Sequence, residues 1–319
     1  MAVPEPGPGE VRVRVTSRPV NPSDLLFIKG RYGRRARFTT RPAAPAGGAA
    51  VSVAGFEGAG VVDALGPGTA GPPPGARVAV AADGTWQEYV CAPATAVLPV
   101  AERTPADTAC QLTVNPFTAQ LLLDDLGLRD GGTVLLTAGA SAVSRMVAWL
   151  AHRRGVRCLA AVRRAGQLPA LERGGAVPLL ARTHADLAER VREATDGRGV
   201  DAALDAVGGT AGGAALRCVR PGGQFVSYGL LSGRPLPVPP ETLLFRRVRV
   251  SGFWLPERLE QLRRQGAAGL RRLTDEVDTA VAAGLPGFEV AARYALGDHA
   301  KALDHAVRPR STGKVLLTG

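Results

Sequence analysis

Residues 137–144 read TAGASAVS, a run of small side chains between an apolar stretch at 133–136 and a segment where Val143, Met146, Val147 and Leu150 recur at helical spacing. A second apolar stretch at 157–162 ends on Arg163 and Arg164. Strand, tight turn, helix, strand is a βαβ unit, and a small-residue turn lets a pyrophosphate reach free backbone N–H groups at a helix N-terminus. Gly139, Ser141, Ala142 and Val143 would make that contact. An acid at the end of the second strand would bind a ribose 2′-hydroxyl. The two arginines found there suit a 2′-phosphate, and therefore NADPH. Ser141, Ala142 and Ser144 occupy places where glycine is most expected. A side chain there hinders close approach of backbone to phosphate, although serine can donate a hydrogen bond to it. The same residues also read as an ordinary βαβ unit with a solvated arginine pair, and on the residues alone both readings stay open.

Such a turn needs a doubly wound sheet to hold it. Apolar stretches at 133–136, 157–162, 176–180, 202–207, 224–228 and 248–253 predict six parallel strands, with helices between the first five. The first hundred residues have another texture. VRVRV at 11–15 alternates with period two, and 55–64, 76–81 and 86–92 are further strand candidates punctuated by glycine and proline. Residues 113–126 and 259–283 read as helical, and KVLLT at 314–318 as a strand folding back on the β-rich part. The expected fold class is α/β, with a β-rich domain over 1–105 and 256–319 and a Rossmann parallel sheet over 106–255.

Composition narrows the field. A hydrophobic content of 45% supports sizeable cores. No apolar run approaches the roughly 18–20 residues of a membrane span, and no secretory signal is visible, so a cytoplasmic protein without membrane attachment is expected. Cys91, Cys110, Cys158 and Cys218 lie far apart, as in reduced intracellular chains. The formal charge of +11 resembles a nucleic-acid footprint, but aromatics are 5%, too few for obvious base-stacking platforms. The basic residues are spread out except for Arg31, Arg34, Arg35, Arg37 and Arg41, a cluster fitting the phosphate of a coenzyme A or phosphopantetheine carrier better than nucleic acid.

Several stretches together resemble the medium-chain dehydrogenase/reductases: VNPSD at 20–24, KGRYG at 29–33, GFEGAGVV at 55–62, VNPFTAQL at 114–121, GFWL at 252–255 and TGKVLL at 312–317. They look most like the zinc-free quinone oxidoreductase and 2-enoyl thioester reductase branch, which implies a GroES-like domain joined to the Rossmann domain. Zinc members carry cysteine and histidine where this chain has Ser23 and Phe56. The four histidines (His152, His184, His299, His305) are scattered, and zinc needs several ligands together, so no metal is expected.

The resemblance implies NADPH-dependent reduction of an activated C=C bond, in an enoyl thioester first and a quinone or enone second. Tyr32 matches the tyrosine the enoyl reductases use, and a neutral phenol can donate to charge developing on the thioester oxygen. Asn21 would lie near the nicotinamide. Asn115 and Thr118 are expected on the cofactor, or as a helix cap, and Tyr228 and Gly229 beside the nicotinamide. Phe253 and Trp254 would line the substrate pocket, and Glu57 would brace the domain interface. Arg31, Arg34 and Arg35 are candidates for contact with coenzyme A or acyl carrier protein.

Family members usually begin with an extra strand pair ahead of this segment, so residues 11–15 are expected to lack a neighbour. With Ser144, that leaves an alternative, a redox-silent member acting on a polyketide-like intermediate by cyclisation or elimination. A homodimer is expected, with the sixth parallel strand pairing across a two-fold axis.

Overall fold

A computed structural model describes residues 3–36, 39–40, 50–308 and 313–319. Arg37 and Arg41 lie outside the described residues. The chain divides into two compact units, Met1–Val114 with Phe288–Gly319, and Asn115–Gly287.

The β-rich unit starts with β1 (Glu10–Pro19), where Val11, Val13 and Val15 turn inward and Arg12 and Arg14 outward, as the alternation predicts. Then come α1 (Pro22–Ile28), β2 (Thr39–Thr40), β3 (Ala50–Val51), β4 (Glu57–Leu65), β5 (Arg77–Ala81), β6 (Tyr89–Pro93), β7 (Val97–Pro99) and α2 (Ala106–Ala109). The three β1 valines pack with Val62, Val78, Val80, Val90 and Val97 into one apolar core. Burying each such side chain contributes about 1.5–3 kcal/mol. The neighbour expected to be missing beside residues 11–15 is supplied. β6 pairs with Glu10–Arg14 on one flank and β4 with Val11–Ser17 on the other, because the chain returns antiparallel through β6.

The second unit opens on α3 (Asn115–Leu126), a helix buried almost all round. β8 (Thr133–Leu136), α4 (Ala142–Arg153), β9 (Arg157–Val162), α5 (Leu168–Arg173), β10 (Val177–Leu180), α6 (His184–Ala194), β11 (Val200–Asp205), α7 (Gly209–Cys218), β12 (Val219–Ser227), α8 (Pro240–Leu244) and β13 (Arg249–Gly252) follow. Every pairing is parallel, in the order β10-β9-β8-β11-β12-β13. This is the doubly wound Rossmann order, with the first strand central and the chain reversing beside it. All four residues of β8 are buried, the continuous apolar run of a strand covered on both faces.

α9 (Leu255–Arg264) and α10 (Ala267–Ala282) belong to this second unit, which corrects the domain boundaries expected at 105/106 and 255/256. Their apolar faces bury Leu259, Leu262, Leu273, Val277 and Ala280. Gln120 of α3 donates to Glu276 at 2.8 Å, and Arg258 pairs with Asp125 at 2.9 Å. At the other boundary, residues 106–114 stay with the β-rich unit, through Thr113 and Val114 on Glu57 and Asp107 on Arg293. The chain then completes the first sheet with β14 (Val290–Ala295), α11 (His299–Ala306) and β15 (Lys314–Thr318). β15 pairs with residues 17–19 of β1, the return that KVLLT predicts. Among the described residues no helix is long and apolar enough to cross a membrane.

Candidate functional site

The small-residue turn of the Rossmann unit is held open from beneath by two buried polar side chains that the sequence reading missed. Thr137 Oγ1 donates to Asp205 Oδ1 at 2.7 Å and accepts the Ala206 N–H at 2.9 Å. The fully buried Asp205 also accepts from the N–H groups of Val207 (3.1 Å) and Gly208 (2.8 Å). These bonds clamp the carboxyl ends of β8 and β11, where doubly wound sheets bind their ligands. The signal available was LDAVGG at 204–209, an aspartate at a strand end followed by turn residues.

Gly139 lies hard against β9. Its N–H donates to the Ala161 carbonyl at 2.9 Å, and an added Cβ would stand 2.9 Å from Ala160 and from the Ala161 oxygen. Its lack of a side chain therefore serves this close approach between turn and strand. Ser141 is the N-cap of α4, accepting the Ser144 N–H at 3.2 Å. The Ser141 N–H donates to the Ala138 carbonyl at 2.8 Å. That leaves the N–H groups of Ala142 and Val143 as the first-turn donors the helix does not use, at its positive end.

Ser144 departs from the expected obstruction. Its side chain is fully buried and turns inward, donating to the Thr137 carbonyl at 3.2 Å, with the Tyr228 phenol 3.4 Å away. Tyr228 itself is half-buried. Burial pushes its hydroxyl up to about 12, against the lowering effect of the Ser144 bond. Gly229 rests on Ala206, whose carbonyl oxygen an added Cβ would meet at 2.6 Å. Arg163 and Arg164 are exposed just past β9, and among the described residues neither is in an ion pair. Free donors at a helix N-terminus beside two exposed guanidiniums fit a dinucleotide with a 2′-phosphate.

Asn115 and Thr118 are buried in the first turn of α3, and α3 begins at Asn115 itself. Phe253 is half-buried, its N–H donating to the Ser227 carbonyl at 2.9 Å, and Trp254 is exposed ahead of α9.

The candidates of the β-rich unit form two groups. Asn21 is buried in a polar network, its Nδ2 donating to Glu57 Oε1 at 2.8 Å and its Oδ1 accepting from Lys314 Nζ at 2.6 Å. Glu57 Oε2 accepts from Thr113 N–H (3.2 Å), Thr113 Oγ1 (3.1 Å) and Val114 N–H (3.0 Å). Asp24 Oδ2 accepts the Asn21 N–H at 2.7 Å, while Asp24 Oδ1 is buried with no hydrogen-bond partner. Burial, with a smaller contribution from Glu57, pushes the Asp24 carboxyl up to about 8. Burial likewise raises Glu57 and lowers Lys314.

The second group is aromatic. Phe56 packs edge-on against Phe27, centroids 5.4 Å apart, and against Tyr32 at 4.9 Å. Tyr32 is half-buried. Arg31, Arg34 and Arg35 are exposed, and Arg34 is paired with Asp83.

Residues 7–102 match the alcohol dehydrogenase GroES-like domain, and residues 142–268 match the zinc-binding dehydrogenase family. The mitochondrial enoyl-[acyl-carrier-protein] reductase of Arabidopsis thaliana is 33% identical over 253 residues, 77% of this chain. The chain spans 64% of that relative's length and 66% of the Bos taurus enzyme of the same name, just under two thirds of each. Among solved structures, a Bacillus thuringiensis protein assigned as an NADPH:quinone reductase is 30% identical with a TM-score of 0.87, covering 99% of this chain and 92% of its own. A mycobacterial protein solved in complex with NADPH is 28% identical with a TM-score of 0.86, covering 100% of this chain and 94% of its own.

Proposed function

This chain belongs to the medium-chain dehydrogenase/reductase superfamily, in the branch of quinone oxidoreductases and enoyl-thioester reductases, and from that premise we propose that it reduces an enoyl thioester with NADPH, without zinc. The observation that carries the reading is the pairing of free N–H donors at the α4 N-terminus with Arg163 and Arg164 at the end of β9. NADPH, when bound, supplies the hydride. The Ala142 and Val143 N–H groups would hold its pyrophosphate and the two arginines its 2′-phosphate. Hydride addition at the β-carbon of the substrate would gather negative charge on the thioester oxygen, and a proton taken up at the α-carbon would complete the saturated product. The Tyr32 hydroxyl is the donor assigned to that charge, and a positioned acid of this kind contributes about 10²–10⁴ in rate. Phe253 and Trp254 would line the acyl pocket, and Arg31, Arg34 and Arg35 would meet the phosphate of the carrier. The inward turn of Ser144 supports a redox role over a redox-silent one, because the serine does not cover the phosphate donors.

The test follows the 340 nm band of NADPH with crotonyl thioesters and with quinones. Thioesters are expected to turn over faster, and Tyr32→Phe to lower kcat by about 10²–10⁴ with NADPH affinity unchanged. Quinones consumed while thioesters stay unreduced would reverse the substrate order. Absence of saturable NADPH binding would end the reading.

A further inference from the structure

Phe56 stands between two fixed points of the β-rich unit. Gly55 before it has a φ of +98°, and an added Cβ there would collide with Trp86 and Thr85. The Gly55 carbonyl accepts the Gly84 N–H at 2.8 Å, and the Phe56 carbonyl accepts the Ala82 N–H at 3.2 Å. Glu57 after it is buried and accepts from Asn21 Nδ2 at 2.8 Å. Asn21 is the N-cap residue of α1, the helix that carries Phe27. Phe27 and Phe56 thus come from elements tied to one another, and their rings meet edge-on with centroids 5.4 Å apart.

Tyr32 lies outside any helix or strand. The chain leaves α1 through Gly30, with a φ of +65°, and through the Arg31 N–H, which donates to the Leu26 carbonyl at 2.8 Å. Two residues beyond Tyr32, Arg34 pairs with Asp83, in the same turn that binds the Phe56 backbone. Both side chains of that pair are exposed, and a surface ion pair contributes little. The Tyr32 ring lies on Phe56 with centroids 4.9 Å apart and planes 35° apart, and aromatic rings attract beyond the area they bury. A phenylalanine has no atom that accepts a phenolic hydrogen, so it steadies the ring without taking the proton. Resting on the assignment of Tyr32 as donor to the thioester oxygen, we propose that Phe56 is a positioning residue for the reduction. With Phe27 it forms a fixed seat that holds the Tyr32 ring, and so its hydroxyl, in one pose.

Fluorine NMR and turnover test this together. The chain has four tyrosines, so in protein labelled with 3-fluorotyrosine the Tyr32 resonance is identified by its loss in Tyr32→Phe. Phe56→Leu keeps an apolar side chain and removes the ring. It should shift and sharpen the Tyr32 resonance, while those of Tyr89, Tyr228 and Tyr294 stay in place and report an intact fold. With a crotonyl thioester and NADPH, Phe56→Leu should lower kcat about ten- to a hundredfold, the effect of a misplaced donor, and Phe56→Tyr should restore it. Phe27→Leu should act in the same direction and more weakly. In a Tyr32→Phe background Phe56→Leu should cost no further kcat, because both residues act through one hydroxyl. An unmoved Tyr32 resonance, an equal kcat loss in both backgrounds, or a loss that Phe56→Tyr fails to restore would overturn the proposal. Full kcat in Tyr32→Phe alone would instead remove the assignment of Tyr32 on which it rests.

Discussion

Arg163 and Arg164 are exposed at the end of β9, and among the described residues neither is in an ion pair. A charge-assisted hydrogen bond contributes about 1.5–3 kcal/mol, so Arg163→Ala with Arg164→Ala should raise the NADPH dissociation constant by about ten- to a hundredfold and leave that of NADH unchanged. Fluorescence titration with both coenzymes measures this, and an equal loss for both would cancel the 2′-phosphate assignment. Asp24 makes a pH prediction. Its carboxyl is pushed up to about 8 by burial, from 3.8, and Glu57 and Lys314 are the charged groups that face it. An acid held protonated by the fold releases that proton on unfolding. Its contribution is therefore complete below pH 4 and is lost as pH rises towards 8. Asp24→Asn should flatten the fall in urea midpoint between pH 5 and 8, and an unchanged slope would show that another group sets it. Residue types near the turn were legible in the sequence, but their partners were not. Asn21 and Lys314 are 293 positions apart, and Thr137 and Asp205 are 68 apart, separations across which no spacing rule operates.

Elements were more legible than side-chain networks. Period-two alternation revealed β1, and continuous apolar runs revealed the six parallel strands, because those patterns are what one-sided and two-sided burial require. The assignment of α9 and α10 failed for an equally physical reason. An amphipathic helix shows that it covers a core without showing which core. Gly139 joins element to site, since the turn after β8 approaches β9 too closely for a side chain. Gly139→Ala should cost about 1–3 kcal/mol by overpacking, seen as a lower Tm, and weaken NADPH binding as the turn shifts. Unaltered stability would mean that β9 yields easily and that the glycine is not required for packing.

For the whole molecule, β13 ends its sheet with one flank unpaired among the described residues, and the nearby stretch exposes Leu244 at 68% and Phe245 at 79%. An open strand edge flanked by apolar side chains suits a second copy of the same chain related by a two-fold axis. Light scattering at micromolar concentration should report a dimer, and Leu244→Glu with Phe245→Glu should convert it to a folded monomer. A wild-type monomer would refute the pairing. Chain order has a temporal consequence too. Ser17 pairs with Thr318, and the Arg18 guanidinium donates to the Gly319 carbonyl, 301 positions away. At about 5–20 residues per second, roughly 15–60 s of translation separate the two halves of that ladder. Residues 115–287 are contiguous and emerge complete inside this interval. The β-rich unit meanwhile waits with an unzipped seam until its closing strand leaves the ribosome.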